Sequence, residues 1–438
     1  MPIFVILWYG FFPAYNIVRY LELLPFWTAP EAVLFALSIS LYFWMSGNVL
    51  MGLQLPLLQR ALPQDKKTEF HIITGVGMLA AIFIHGGSKI IKGYFLSAVT
   101  WALLLSLMIL FILSTYWISA PGLSWLHKLL APKSTSDQHY DLLKSIHGIG
   151  FPAVLVLSYL HIREAGIIWL TDTLGQIFYV ASFWFTMGIC IIYVIRKLML
   201  PRAHLKTVSI SKDLILMDFV PSRPLRQIPY RAGQFAYLTP CSGPHKGEGH
   251  PFSFVSHNAY PQPDRQAQGA QPQDRHVISF AARQTGDFTH WLQSAEGQQF
   301  TIDAAYGNFA PSPRRRNCLI GTGSGMAPII ALLNEGLSPR DVVFLKGRKQ
   351  DAELLNRLTA AESTGTSATG TNCHILETGS YINANFILQN LGTPRNFHYY
   401  LCTSPAVREN ILSALRSLGV KRHRIHFENY SFGTVDKN

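Results

Sequence analysis

Apolar residues form long unbroken runs over the first 200 positions and short, punctuated runs afterwards. Six stretches contain no Asp, Glu, Lys or Arg: Met1 to Val18, Ala32 to Gln59, Phe70 to Ser88, Gly93 to His127, Ser145 to Ile162, and Thr173 to Ile195. Each has at least about 18 residues, the length that carries a helix across a bilayer. A helix is expected in each, because it satisfies every backbone polar group within one segment. Pro13 interrupts the first stretch, which has the alternative reading of a signal peptide. It lacks a basic start and a small-residue cleavage site, which favours a retained helix. From about residue 204 the texture changes to β-like runs such as Leu214 to Val220 and His276 to Ala282, set between Pro and Gly. Asn317 to Ile320, a Gly-rich turn, Ala327 to Leu333 and Asp341 to Leu345 then alternate as strand, helix and strand, which predicts a parallel sheet. The Gln- and Pro-rich segment Pro261 to Asp274 reads as a mobile loop.

Composition sharpens this division. The 438 residues exceed one ordinary domain, 49% are hydrophobic and only 14% are charged, against roughly 25% charged in a soluble protein. A net charge of +12 on a soluble chain would suggest nucleic acid. With this apolar bulk it points instead to basic residues at a lipid surface and to no nucleic-acid partner. Cys190, Cys241, Cys318, Cys373 and Cys402 are scattered, with no CxxC, CxxCH or iron–sulfur run. That excludes a disulfide scaffold and a covalently attached haem. Arg60, Lys66, Lys67, Lys128, Lys133, Lys144, Arg196, Lys197, Arg202 and Lys206 fall on one side of the expected bundle. Arg19, Lys89, Lys92 and Arg163 fall on the other. The positive-inside rule then puts both termini in the cytoplasm of an integral membrane protein, with the plasma (inner) membrane expected.

Four of the 16 histidines lie well within uncharged stretches: His71 and His85 in the third, His147 and His161 in the fifth. Both pairs are 14 residues apart, about 3.9 helical turns and about 21 Å of rise, so each pair lies nearly on one helix face. Two such helices can bring four imidazoles together as two stacked couples. Imidazole suits iron, and two facing imidazoles can hold a haem from both sides. Gly75, Gly77, Gly86, Gly87, Gly148 and Gly150 follow the histidines and would let a flat macrocycle approach the helices. Without CxxCH, the two haems would be b-type. Ordinary packed histidines are one alternative. A metal-ion path is another, although it would want carboxylates that these helices lack at that depth. Both helices start from the cytoplasmic side, so His71 is expected with His147 around an inner haem and His85 with His161 around an outer one. Haems near both faces imply electron transfer across the bilayer, and one-electron carriers need a flavin to accept from a two-electron donor.

Arg231-Ala-Gly-Gln-Phe-Ala-Tyr-Leu, followed by His250-Pro-Phe-Ser-Phe-Val-Ser256, resembles the FAD-binding domain of ferredoxin-reductase-type flavoproteins. The His-Pro-Phe-Ser form resembles the NADPH oxidase and ferric reductase family, and with the membrane histidines the resemblance covers almost the whole chain. It implies a multi-domain membrane protein: a six-helix transmembrane di-haem domain at 1–203, an antiparallel β-barrel FAD domain at 204–312 and an α/β Rossmann-like NAD(P)H domain at 313–438. It further implies that Phe252 lies beside the flavin with Ser253 near its reactive nitrogen, and that His250, adjoining Pro251, meets the pyrophosphate. Arg283 with Gly286-Asp-Phe-Thr289 resembles the second phosphate-facing segment, where helix-start N–H groups meet an anion. Tyr306-Gly-Asn-Phe309 resembles the turn that closes the domain. Gly321, Gly323 and Gly325 form a Gly-rich turn suited to a pyrophosphate. Arg348 stands where relatives meet the 2′-phosphate of NADPH. Leu401-Cys402-Thr-Ser-Pro405 resembles the Cys-Gly-Pro turn near the nicotinamide, with Thr403 in place of Gly. Phe432, or Tyr430, resembles the terminal aromatic over the flavin.

The resemblance implies an NAD(P)H oxidoreductase with FAD, two b-type haems and NADPH, whose small-molecule acceptor is oxygen, giving superoxide, or a ferric chelate. An electron-transfer subunit serving a partner protein, and a metal-ion transporter with a flavin-like regulatory domain, stay open as alternatives.

Overall fold

The computed structural model describes residues 3–23, 28–53, 55, 64–93, 96–115, 140–211, 214–222, 230–255, 277–284, 286–347, 372–376 and 381–427. The expected loop over Pro261 to Asp274, Arg348, Tyr430 and Phe432 fall outside these residues. Contacts divide the chain after Leu198.

The first unit is helical. Ile3–Ile6 and a π turn over Leu7–Phe11 lead into α1 (Phe12–Leu23). Pro13 has no N–H to donate four residues back to the Tyr9 carbonyl, and the Trp44 indole N–H donates to it instead, at 3.1 Å. α2 (Ala29–Gly52) opens on a capping box in which Thr28 Oγ1 lies 2.9 Å from Glu31 Oε2. α3 (Gln64–Ile91), α4 (Ala98–Thr115), α5 (Tyr140–Glu164) and α6 (Thr173–Leu198) follow. Asp172 accepts from Gly175 N at the start of α6 and pairs through its other oxygen with Arg19 on α1.

Among the described residues, four helices are long and apolar enough to cross a membrane: Ala29–Gly52, Lys66–Ile91, Ile146–Glu164 and Thr173–Leu198. The fourth uncharged stretch supplies a shorter apolar segment, Ala98–Leu110, and the rest of it lies beyond the described residues. The first stretch is helical throughout Ile3–Leu23, with the π turn inside the run, and is not among these four. Phe83, Trp101, Trp184 and Ile192 are more than half exposed, as expected of side chains facing lipid. Inside, hydroxyls join the helices: the Trp8 indole donates to Ser46 Oγ, which meets Thr186 Oγ1 at 2.7 Å, and Tyr42 OH donates to the Tyr179 carbonyl. Lys67 departs from the sequence expectation. It lies inside α3 and not in a connection, is 1% exposed, and donates to the Leu53 carbonyl at 2.7 Å.

The second unit starts with a closed antiparallel barrel of β1 (Arg202–Ser211), β2 (Leu214–Pro221), β3 (Phe235–Pro240), β4 (His250–Phe254), β5 (Ile278–Arg283) and β6 (Gln299–Tyr306), in the order β1-β2-β5-β4-β3-β6. Ile215, Met217 and Phe219 point inward at period two and join Phe254, Phe280 and Phe300 in its core. α7 (Asp287–Trp291) adds Phe288 to that core.

A five-stranded parallel sheet follows: β7 (Asn317–Thr322), β8 (Val342–Lys346), β9 (Asn372–Leu376), β10 (His398–Cys402) and β11 (Ile425–Phe427), ordered β11-β10-β7-β8-β9. α8 (Met326–Gly336), α9 (Ala384–Leu391) and α10 (Pro405–Ser417) accompany it. Barrel and sheet share an apolar cluster in which Ala232, Val255 and Ala281 meet Leu319, Met326 and Ile329. Buried Asp341 ties the starts of β7 and β8 together by accepting from Asn317 N and Ser338 N. Burial raises its carboxyl above the usual range.

Candidate functional site

α3 and α5 bring the membrane histidines together in the expected couples. The His71 and His147 ring centres are 6.4 Å apart at 81°. Two imidazoles bound to one metal from opposite sides, with bonds of about 2 Å and ring centres about 1.1 Å behind the nitrogens, stand about 6.3 Å apart. The observed spacing fits that arrangement. A cavity of about 230 Å³ lies against both rings, lined also by Asn48, Gly75, Met78 and Phe151. His85 and His161 wall a second cavity, of about 450 Å³, with Gly86, Lys89, Thr100 and Glu164.

Hydrogen bonds engage Nδ1 of His71, His85 and His161, and a carbonyl partner sets the tautomer of His71. His71 Nδ1 is 3.1 Å from the Asn48 carbonyl. A carbonyl only accepts, so Nδ1 holds the proton and Nε2 keeps its lone pair. Ser38 Oγ spends its proton on the Leu34 carbonyl and therefore accepts from His85 Nδ1, at 2.7 Å. His161 Nδ1 is 3.0 Å from Thr100 Oγ1. Metal-bound histidines are held this way, with the far ring nitrogen engaged by the protein. No cluster of three His, Cys, Asp or Glu suited to a metal ion occurs among the described residues. A pair of imidazoles is a sparse set for a bare ion and a sufficient one for iron already held by a macrocycle. Gly75 and Gly86 line the cavities. Gly77, Gly87 and Gly148 face open space, and Gly150 instead lets α5 approach Leu110. Sequence reasoning missed Ser38, Asn48, Thr100 and Gly52, whose absent side chain makes room for the His71 ring.

In the second unit, His250, Pro251, Phe252 and Ser253 lie on β4, with Ser253 opposite Phe235 and Ala281. Phe252 is buried and parallel to Phe288 at 6.1 Å. The His250 ring packs on Phe288 at 3.9 Å, and its Nε2 is 3.6 Å from Glu248 Oε2, which also meets His245 Nδ1. A carboxylate thus stands beside the residue expected at the pyrophosphate. Gly286 and Thr289 open α7, where the Thr289 hydroxyl donates to the Gly286 carbonyl and accepts from Gly286 N. Thr289 therefore turns its hydroxyl to its own helix. Tyr306 donates to Asp303, and Phe309 packs edge-on against Tyr400.

The strand order reverses between β7 and β10, and such a switch point leaves a crevice at the strands' carboxyl ends. Gly321, Gly323 and Gly325 lie there, at the end of β7 and in the turn after it, and Cys402 ends β10. Gly323 has φ +60°, and a Cβ on Gly325 would stand 2.0 Å from the Cys402 carbonyl oxygen, so no larger residue fits this turn undisturbed. Cys402 itself is buried. Arg283, expected with the flavin phosphate, reaches over Gly323 and lines a cavity of about 730 Å³ with Thr322, Lys346, Tyr381 and Asn383. Lys346 Nζ lies 5.1 Å from the centre of the Tyr381 ring. Lys346 and Tyr381 were missed. The basic run after β8 was visible, yet nothing in it told Lys346 from Arg348, and nothing marked Tyr381.

No family model matches the chain, and no curated protein matches it. Its structure is similar to the ferredoxin reductase in carbazole 1,9a-dioxygenase, at 18% identity and TM-score 0.40 over 52% of this chain and 69% of that one. It is similar to flavohemoglobin from Malassezia yamatoensis with bound FAD and heme, at 14% identity and TM-score 0.44 over 95% of this chain and 99% of that one. The cytochrome b5 reductase domain of Ulva prolifera nitrate reductase gives 13% identity and TM-score 0.38 over 52% and 96%.

Proposed function

We propose that this chain moves electrons from cytoplasmic NADPH, through FAD and two b-type haems, to an acceptor across a membrane, as in the NADPH oxidase and ferric reductase family. The observation that carries this reading is the pair of cavities in one helical unit, each walled by two histidines from α3 and α5. His71, His85 and His161 have Nδ1 engaged, which leaves Nε2 to face a metal.

The bound groups would supply the conversion of a two-electron hydride donor into single-electron steps. The balance is NADPH plus two oxidised acceptors giving NADP⁺, a proton and two singly reduced acceptors: oxygen to superoxide, or ferric to ferrous iron. The protein's own residues fix positions. Asn48, Ser38 and Thr100 hold the imidazoles at one tautomer and rotation. The Gly323 turn opens backbone amides toward a pyrophosphate, and Lys346 with Arg283 supplies the charge that favours NADPH over NADH. His71 with His147 and His85 with His161 would hold the two irons and, with both positions taken, would leave an acceptor to be reduced without binding iron.

The test is haem stoichiometry in detergent-purified protein, by pyridine haemochrome. Two b-type haems per chain are expected, falling to one in His85→Ala and one in His71→Ala. Absence of haem from a folded wild-type preparation rejects the reading and favours a metal-ion path. NADPH-reducible haem with no turnover on oxygen or ferric chelates instead selects a protein acceptor.

A further inference from the structure

Among the membrane histidines, His161 is connected to a carboxylate. Glu164, at the end of α5, accepts from Ser97 Oγ at 2.8 Å. Ser97 has one proton and has given it to Glu164, so at 3.1 Å it accepts from Thr100 Oγ1. Thr100, its own proton used, accepts from His161 Nδ1 at 3.0 Å. The acceptor-only carboxylate thus directs the whole line: His161 to Thr100 to Ser97 to Glu164. Two other lines end on neutral groups. His71 stops at the Asn48 carbonyl, and His85 passes through Ser38 to the Leu34 carbonyl. His161 thus differs from His71 and His85.

We propose that Glu164, acting through Ser97 and Thr100, is a positioning and charge-donating residue for His161 that lowers the reduction potential of the haem at the His85–His161 couple. The inference rests on the two-haem reading above. A hydrogen-bonded partner makes a histidine a more basic ligand. An anion at the end of the line strengthens each bond along it. A more basic ligand favours the oxidised iron and so lowers the potential, one of the levers a protein has over a haem. At the exit of the electron path the consequence is functional: the last carrier becomes the stronger one-electron donor toward the acceptor. Lys89 lines the same cavity and opposes Glu164. Solvent screens both charges, but the directed hydrogen bonds pass the carboxylate's influence on to the ring itself.

The test uses full-length protein in nanodiscs, with an anaerobic spectroelectrochemical titration that resolves the two haem potentials. The outer haem is the component missing from His85→Ala. Glu164→Gln is the cleanest variant, because its amide oxygen still accepts from Ser97 while the charge is gone. Glu164→Gln is expected to raise the outer potential and leave the inner one in place. Ser97→Ala should raise it in the same direction. Ser97 also caps α4 through Thr100 N, so Glu164→Gln separates charge from fold. An unchanged outer potential, or an equal shift of both, overturns the inference. A wild type without haem bands overturns the underlying reading instead.

Discussion

At the start of β10 the His398 imidazole is packed among cations. Arg315 Nη1 lies 3.3 Å from its Nδ1, His426 Nε2 lies 3.2 Å from the same atom, and Arg424 and His423 add their charge. Burial first, then these neighbours, push it down to about 4. The unfolded chain binds that proton near the ordinary value of 6.5 and the folded chain does not. The contribution is therefore complete above pH 6.5 and is lost as pH falls toward 4. It is worth at most about 3 kcal/mol. His398→Gln should flatten the pH dependence of flavin release on heating between those values; an unchanged slope would show that the ring titrates normally. Lys346→Ala should raise KM for NADPH about tenfold, the loss of roughly 1.4 kcal/mol of charge-assisted binding, and spare NADH. Equal loss with both, measured with a soluble dye acceptor, would show a structural role for Lys346 and none at a 2′-phosphate.

At the scale of elements, Gly325 joins two of them. A Cβ there would collide with the Cys402 carbonyl oxygen, so Gly325→Ala must move either the turn after β7 or the end of β10. The variant should lose NADPH-dependent flavin reduction and keep its full haem complement; retained reduction would show that the turn does not hold the nucleotide. Elements were also where the sequence was most and least readable. The two equal 14-residue spacings gave the helix face, and the α3–α5 pairing followed from them. Ser38 and Thr100 were visible as hydroxyls in apolar runs, yet which histidine each would meet depended on helix rotation, which no periodicity records. Asn48 acts through its backbone carbonyl, which carries no residue signal at all. Lys67 was counted among the connector charges because charge counting cannot see that α3 starts six residues before its uncharged run. The Gly-rich turn was legible because strand, glycines and helix follow one another in sequence. The cavity beside it was not, because Tyr381 and α10 arrive from distant segments.

At the scale of the whole molecule, the proposed function joins a nicotinamide-oxidising flavin unit to a pair of membrane haems in one chain. The helical unit provides two histidine-walled cavities, and the second unit provides a closed barrel and a parallel sheet with a glycine-lined crevice. The most direct measurement is an anaerobic visible spectrum of the purified full chain with FAD, before and after NADPH. A shifted Soret band and sharp b-type bands should appear on NADPH addition, absent from Gly325→Ala and of half amplitude in His85→Ala. Haem bands that dithionite reduces and NADPH does not would contradict the proposed function, separating the two halves into independent functions.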